Sequence, residues 1–147
     1  MDRISSEKRS ANMRAVRNRD TKPEIRVRSI LHRAGYRFRL HRRDLPGSPD
    51  IVLPRYGTAI FVHGCFWHGH EGCRRSKLPS TRTDFWQSKI GRNKERDETA
   101  RAALIERGYR VVTLWECELN SAAFILEHVN DVTGRGERSD GEATTAE

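Results

Sequence analysis

The sequence predicts one α/β domain in which helices flank a small, mixed central sheet. Its 147 residues are enough for one hydrophobic core but few for two. Near-continuous apolar runs, "DIVLP", "TAIFVH" and "YRVVTLWE", are typical of buried strands, and amphipathic stretches around them are typical of helices. The resulting order is helix, helix, strand, strand, strand, helix, strand, helix. That order favours helices layered on a sheet.

The second predicted helix has a clear start and a clear end. Thr21 can cap it, Glu24 stands three residues later as in a capping box, and Pro23 is tolerated in a first turn. Gly35 is well placed as the C-terminal stop.

The first predicted helix, within residues 1–20, is far more polar. Met13 and Val16 are its main apolar pair, too little to anchor it firmly in a core. The surrounding sequence is strongly basic, since residues 1–44 contain fourteen Lys and Arg against five Asp and Glu, in a chain whose net charge is +8. Clustered cations gain affinity for polyanions by releasing counterions. The composition favours a nucleic-acid partner, with an anionic membrane surface as the lesser alternative.

Further along, "YRFRL" alternates like a half-buried strand, "HRRDLPGSPD" is predicted as a loop, and "RYG" joins the two central strands into a hairpin. A long helix is predicted from about Asp84 to Arg107, closed by Gly108, and "SAAFILEHVN" is a final amphipathic helix. Residues 132–147 are polar and predicted to be a disordered tail, which leaves 1–131 as the domain. No signal-peptide pattern or membrane-spanning run occurs, so a cytosolic protein is expected.

Sulfur and imidazole cluster in the stretch "FVHGCFWHGHEGC". Cys65, His70 and Cys73 lie within nine residues, and Cys117 follows a predicted strand far downstream. Three thiolates and one imidazole complete a tetrahedral Zn²⁺ shell, and a shell with no vacant position is structural. His68 competes with His70 for the fourth place. The alternative is three cysteines of which some are simply buried, because an odd number argues against a disulfide framework.

An acidic candidate lies nearby. Asp50 follows Pro49 at the start of one hairpin strand, and His63 ends the other, so the hairpin could bring them together. A carboxylate that binds Mg²⁺, with imidazoles from His63 and His68 to move protons, is a workable phosphodiester-cleaving centre. The alternatives are a strand-start role for Asp50 and structural roles for the histidines. Glu24 could orient a histidine, although the capping box already explains it.

Aromatic residues occur around the same histidines. Phe66 and Trp67 lie within the cysteine-rich stretch, and Phe85 and Trp86 begin the long helix. Flat rings beside a basic surface can stack on bases or wedge between base pairs. Core packing is the alternative, but the glycines and histidines around Phe66 and Trp67 favour a loop.

Five motifs in this order together resemble the very short patch repair (Vsr) endonucleases, the mismatch-specific DNA nicking enzymes of bacteria. They are "NMRAVRNRDTKPE", "LPGSPD", "HGCFWHGHEGC", "TRTDFWQSKIGRNKERD" and "VVTLWECEL", and the similarity extends from about Ser5 to Leu119. The resemblance implies a restriction-endonuclease-like, PD-(D/E)XK-related fold with a Mg²⁺-dependent active site and a structural Zn²⁺. It implies double-stranded DNA with a T·G mismatch, left by deamination of 5-methylcytosine and nicked 5′ to the thymine. Mismatch-repair proteins are further candidate partners, and the location implied is the bacterial nucleoid.

The resemblance also assigns roles to single residues. The family's metal-binding aspartate corresponds to Asp50, its catalytic histidines to His63 and His68, and its acidic helper to Glu24. It gives His70, and not His68, to zinc. The zinc ligands that it implies are Cys65, His70, Cys73 and Cys117.

The DNA-inserting residues of the family have counterparts as well. The rings that wedge beside the mismatch correspond to Phe66, Trp67 and Trp86, and Met13 with Val16 matches the helix that reaches the minor groove. An apolar pair too small for a core is suited to insertion between bases.

These assignments lead to a mechanistic hypothesis. Asp50 and the Val62 backbone hold Mg²⁺, His68 oriented by Glu24 activates water, and His63 supports the developing charge or the leaving group. Val62 itself departs from the family pattern, in which threonine is familiar at this position.

A second departure concerns the zinc loop, which is one residue longer than usual before Cys73. The zinc geometry is therefore expected to relax slightly.

Two alternative functions remain: a zinc-stabilised DNA-binding module without activity, and a restriction-type endonuclease that acts on paired duplex. A monomer is expected, because no repeat or coiled coil is present.

Overall fold

A computed structural model of the chain describes residues 20–135. The predictions for the first helix, including Met13 and Val16, and for residues 136–147 lie outside the described residues. Within them, four strands form one sheet in the order β1-β2-β3-β4. The strands are β1 Arg39–Leu40, β2 Ile51–Leu53, β3 Thr58–His63 and β4 Arg110–Trp115.

The sheet is mixed, as predicted. β2 and β3 form the antiparallel hairpin, in which Ile51 pairs with Ile60 and Leu53 with Thr58. β1 adds antiparallel to β2, whereas β4 pairs parallel to β3. The expected hairpin in the middle of a sheet is therefore confirmed.

In the described part of the chain three α-helices accompany the sheet, and short 3₁₀ turns link other elements. The helices are α1 Lys22–Arg33, α2 Thr83–Glu106 and α3 Ala122–Thr133. Among the described helices, none combines the length and apolar character needed to cross a membrane.

Apolar side chains cover both faces of the sheet. One core joins α1 and α3 to alternate strand positions such as Ile60, Val112 and Leu114. A smaller core lies on the opposite face, where Val52 and Ala59 pack with Leu104 of α2. The sheet therefore lies between two helical layers, as its two-sided apolar strands require.

The start of α1 differs slightly from a capping box. Thr21 Oγ1 accepts the Glu24 N–H over 3.3 Å, as expected for an N-cap. The Glu24 carboxylate, however, accepts the N–H of Asp20 at 3.0 Å, one residue before the cap. Gly35 follows the helix with φ of 98°, a conformation that favours glycine.

Two predicted boundaries were wrong. "YRFRL" contributes only two residues to β1, because Tyr36 is buried and its hydroxyl donates to Asn130 Oδ1 at 2.6 Å. Tyr36 therefore anchors α3 rather than a strand. The predicted tail begins too early, since α3 extends to Thr133, whose side chain is buried next to the Tyr36 hydroxyl.

Strand directions bring several loops to one edge of the sheet. β3 and β4 are parallel, so that His63 and Trp115 are paired at their carboxyl ends. β2 runs the opposite way, and its first residue follows Asp50. β1 ends at the same edge, where the His41 N–H donates to the Asp50 carbonyl. This edge collects the candidate residues from four separate segments.

Candidate functional site

Asp50 stands at the sheet edge, immediately before β2. Its Oδ2 accepts the backbone N–H of Val62 over 2.7 Å. Burial raises the pKa of the carboxyl to about 6, and the Glu24 charge acts in the same direction, while the Val62 hydrogen bond opposes the shift. The carboxylate is thus held close to the Val62 backbone without a cation that fully compensates its charge.

His63 and His68 form a stacked pair next to this edge. Their ring centroids are 3.7 Å apart and the rings are nearly parallel, with an interplanar angle of 2°. His63 is only 8% exposed, and its Nδ1 has no hydrogen-bond partner. Burial, reinforced by the His68 charge, lowers the pKa of His63 to about 3. His63 is therefore neutral at physiological pH.

The carboxylate that contacts His68 belongs to Asp97, a residue that the sequence reasoning missed. His68 Nδ1 lies 2.6 Å from Asp97 Oδ2, 29 residues along the chain in α2. A usable signal exists in the sequence, because Asp97 is seven residues after Ile90 and seven before Leu104, both buried. Residues seven apart share a helix face, so this acid was predictable as inward-facing.

Glu24 is placed elsewhere, and the predicted orientation of His68 by Glu24 is corrected by the structure. The Glu24 side chain is 3% exposed and accepts from Arg28 at 2.7 Å. His41 Nε2 lies 3.0 Å from its Oε2. Since Asp97 occupies Nδ1 of His68, Glu24 acts on a different histidine.

A cavity of about 360 Å³ opens between the sheet and α2 beside the histidine pair. Its lining contributes apolar rings on the sheet side and charged side chains from α2. It includes Phe61, His63, His68, Lys94, Asp97 and Arg101. Lys94 pairs with Glu71 at 2.9 Å and Arg101 with Glu98 at 3.5 Å, and the His68–Asp97 pair lines the same cavity as an imidazole–carboxylate couple suited to proton transfer.

The four sulfur and imidazole candidates converge as the sequence predicted. The ligand atoms of Cys65, His70, Cys73 and Cys117 all lie within 4.8 Å of one another. His70 Nδ1 is 3.5 Å from Cys117 Sγ. A tetrahedral Zn²⁺ shell with bonds of about 2.3 Å separates sulfur ligands by about 3.8 Å. The donor set and its spacing therefore fit Zn²⁺, despite the longer loop before Cys73.

Burial also makes the cluster dependent on a cation. The pKa of the Cys65 thiol is raised to about 12 by its burial. A bound metal would supply the positive charge that a thiolate needs in this place, and would favour loss of the thiol proton. His70 stacks on Trp115 at 4.1 Å with an angle of 8°, which fixes its ring for Nδ1 ligation.

Gly69 separates His68 from His70 and directs them to different clusters. Its φ is 61°, and a Cβ at this position would lie 2.7 Å from Ile90 Cγ2 of α2. Only a residue without a side chain lets the loop approach α2 this closely. This approach puts His68 within reach of Asp97, while His70 turns to the cysteines.

The predicted aromatic residues form one cluster. Phe66, Trp67 and Trp86 contact one another edge to face, with centroids 5.1 to 5.9 Å apart. Asn93 of α2 donates to the Trp67 carbonyl at 2.8 Å and so ties the loop to the helix. Phe85, 43% exposed, continues the cluster to the surface. These rings lie at the loop–helix junction and belong to neither core.

Comparison with known proteins gives consistent matches. The family model described as DNA mismatch endonuclease Vsr matches residues 1–75. The type II nicking enzyme V.XorIIP of Xanthomonas oryzae pv. oryzae is 56% identical over 131 residues, covering 89% of this chain and 96% of the relative. V.NmeAIP of Neisseria meningitidis is 42% identical, with coverages of 88% and 91%.

The DNA mismatch endonuclease Vsr of Escherichia coli K12 is 50% identical over 111 residues, which cover 76% of this chain and 70% of the relative. The family model spans just over half of the chain, and each of these relatives exceeds 30% identity over most of its length. The resemblance seen in the five motifs is thereby confirmed: the chain belongs to the Vsr family of DNA mismatch endonucleases.

Proposed function

We propose that this mismatch endonuclease nicks double-stranded DNA on the 5′ side of the thymine in T·G mismatches, in very short patch repair of deaminated 5-methylcytosine. The observation that carries the chemistry is the His68–Asp97 pair beside the cavity, on the same sheet edge as the buried Asp50. These are the groups that a hydrolytic cut of a phosphodiester needs: a proton acceptor, its carboxylate partner and a metal-binding acid.

Asp50 is the proposed Mg²⁺ ligand, together with the backbone of Val62. A hard carboxylate oxygen suits Mg²⁺, and the raised pKa of about 6 indicates a buried charge that a cation would stabilise. When bound, Mg²⁺ would polarise the phosphoryl oxygen and stabilise the leaving 3′ oxygen. The backbone ligand would be the Val62 carbonyl, since Mg²⁺ takes oxygen ligands, and both this carbonyl and the N–H that donates to Asp50 are present whatever the side chain, so valine is compatible with the role.

His68 is the proposed general base. Its Nδ1–H donates to Asp97, which leaves Nε2 to accept a proton from the attacking water. His63, with a pKa near 3, carries no charge at neutral pH, so its proposed support of the developing charge or of the leaving group would come from a hydrogen bond of the neutral ring. It supports the His68 ring by stacking and offers a hydrogen bond. Glu24 remains a proposed acidic helper near Asp50.

The zinc cluster and the rings complete the proposal. Zn²⁺ on the four-ligand set clips the loop after β3 to the turn after β4. Phe66, Trp67 and Trp86 form the proposed wedge beside the mismatch, and the N-terminal residues Met13 and Val16 are proposed to reach the minor groove. The proposed partner is a mismatch-containing DNA duplex, and mismatch-repair proteins are further candidate partners. We propose that the chain acts as a monomer and that it is located at the nucleoid. The tertiary arrangement we propose is the restriction-endonuclease-like one.

A nicking assay tests this function. Duplexes with a T·G pair, with a C·G pair and with a T·A pair, labelled on both strands, are incubated with and without Mg²⁺. We expect a single nick 5′ to the mispaired thymine, only with Mg²⁺, and none in the paired duplexes. Binding without cutting would indicate the alternative DNA-binding module, and cuts in both strands of a paired site would indicate a restriction-type activity.

A further inference from the structure

One residue outside the assigned set contacts both acids of the proposed active site. His41 follows β1, and its backbone N–H donates to the Asp50 carbonyl over 3.1 Å. Its ring is directed to α1, where Nε2 lies 3.0 Å from Glu24 Oε2. Asp50 belongs to the hairpin and Glu24 to α1, so His41 connects two separate elements.

The backbone at His41, the residue that makes both contacts, has a positive φ. Its φ is 51°, in the left-handed region that residues with a side chain rarely adopt. Asp20, with φ of 58°, approaches the same ring, since its Oδ1 is 3.5 Å from His41 Nε2. Of the four non-glycine residues with positive φ in the described chain, two thus meet at Glu24. Such strain persists where the surroundings enforce it, and it clusters at functional sites.

The same contacts argue against a further metal ion in this cluster. Arg28 donates to both Asp20 and Glu24 and already supplies the cation between them. The His41 Nε2 contact is close but not aligned as a hydrogen bond, and the atom is buried. The ring therefore packs against the Glu24 carboxylate without a hydrogen bond to it.

We propose that His41 is a positioning residue of the nicking reaction, which holds the Glu24 carboxylate of α1 beside Asp50 at the sheet edge. This inference rests on the proposed function. It identifies β1, the shortest strand, as the element that aligns two acids whose own elements, α1 and β2, belong to different layers.

Three substitutions separate the ring from the backbone strain. His41→Ala removes the ring and keeps the strained φ, His41→Gly removes both, and His41→Gln keeps a polar group that reaches Glu24. His32→Ala, an exposed histidine at the end of α1, is the matched control. Four quantities are measured for each variant. They are the melting temperature, the rise in melting temperature on adding Mg²⁺, the affinity for a T·G duplex without added Mg²⁺, and the nicking rate across a series of Mg²⁺ concentrations.

We expect His41→Ala and His41→Gly to lower the nicking rate, or to raise the Mg²⁺ needed, by roughly 10- to 100-fold, as for other supports of metal-site residues. Duplex binding without Mg²⁺ stays at the wild-type level, and the Mg²⁺-induced rise in melting temperature moves to higher concentration. His41→Gln recovers most of the rate. His41→Gly melts no lower than His41→Ala, because glycine tolerates positive φ.

Several outcomes would overturn the inference. One is a wild-type nicking rate in His41→Ala, and another is full activity in His41→Gly, which would make strain rather than the ring responsible. Parallel loss of duplex binding and melting temperature would indicate a purely structural residue. If the wild-type protein itself makes no Mg²⁺-dependent nick, the proposed function fails and this inference fails with it, whereas unaffected His41 variants beside an active wild type refute His41 alone.

Discussion

The loop after β3 contributes residues to two clusters of potential metal ligands, and the two clusters differ in geometry. In the zinc-type cluster, four ligand atoms from Cys65, His70, Cys73 and Cys117 converge within 4.8 Å. In the histidine cluster, His63 and His68 are equally close, but their rings are parallel. Ring nitrogens direct their lone pairs in the ring plane, so parallel rings cannot both point at one cation. Ligand type alone therefore does not define a metal site; convergence of the lone pairs does.

The two clusters also differ in how burial changes the pKa values of their side chains. The buried Cys65 thiol, with its pKa near 12, needs a cation before it can bind as thiolate. His63 meets the same burial by staying neutral, with its pKa near 3. One cluster should thus govern stability through metal binding, and the other should govern chemistry through proton transfer. Substitutions in the histidine cluster should therefore lower the nicking rate at unchanged stability, whereas loss of the zinc-type cluster should lower stability and, as a consequence, DNA binding and nicking.

Loss of zinc should have the largest effect. Structural Zn²⁺ contributes free energy on the order of 10 kcal/mol in small zinc-folded domains. Cys117→Ser, or a strong chelator, should therefore lower the melting temperature steeply and abolish T·G duplex binding together with nicking. Elemental analysis should find one zinc per wild-type chain. Folded, freshly purified protein with clearly substoichiometric zinc would contradict the four-ligand shell.

Removal of the proposed base should affect rate and not stability. General-base catalysis contributes roughly 10²- to 10⁴-fold, so His68→Ala should slow nicking by that range. Asp97→Asn should slow it through the same pathway, and the double variant should be little worse than His68→Ala, because the two residues act as one unit. His128→Ala, in α3, is the control. Additive losses, or a normal rate in Asp97→Asn, would break the proposed pairing.

Asp50→Asn should abolish nicking and yet raise the free energy of unfolding at neutral pH. The folded protein keeps the Asp50 proton up to about pH 6, whereas the unfolded chain loses it near 3.8. Because the folded state binds this proton more tightly, the proton stabilises it. In Mg²⁺-free buffer this contribution to the free energy of unfolding is complete below about pH 4 and is lost as the pH rises through about 6. Asparagine does not titrate, so the variant should gain on the order of 3 kcal/mol above pH 6 and nothing below pH 4.

Nicking by Asp50→Asn should be absent at every pH. Unfolding by urea at a series of pH values measures the stability, without chelator so that zinc is retained. Asp44→Asn is the control, because Arg42 lowers the pKa of Asp44 to about 2, the opposite direction. An equal gain at pH 4 and pH 8 would contradict the burial of the Asp50 charge.

Gly69→Ala, at the residue between the two clusters, should produce the smallest effect and should act on the histidine cluster. The new Cβ would press on Ile90 and adopt a positive φ, which should cost about 1–3 kcal/mol in stability. If the loop shifts away from α2, the His68–Asp97 contact lengthens and nicking falls, while zinc content is kept. Gly72→Ala is the matched control, since its φ is also positive but nothing lies within 4 Å of the added Cβ. Equal effects of both variants would show that strain, and not the approach to α2, is responsible.

Many features followed from local sequence. Apolar runs predicted the central hairpin and β4, and the caps predicted α1 and α2 within one or two residues. The three cysteines of the zinc-type set were readable because cysteines are rare, but the choice of His70 over His68 came only from the family resemblance. The limits of β1 and of the tail were not readable, since the burial of Tyr36 and Thr133 comes from their mutual contact across 97 residues.

The sequence by itself determined the kinds of groups available: the acids, the imidazoles, the thiols and the rings, and the family to which they belong. Which acid meets which histidine was decided only by the tertiary structure. Asp97 reaches His68 because α2 crosses back over the sheet between parallel strands, and Glu24 meets His41 because β1 ends beside α1. Both pairings join residues far apart in sequence, and their geometry depends on packing between layers, which no local pattern encodes.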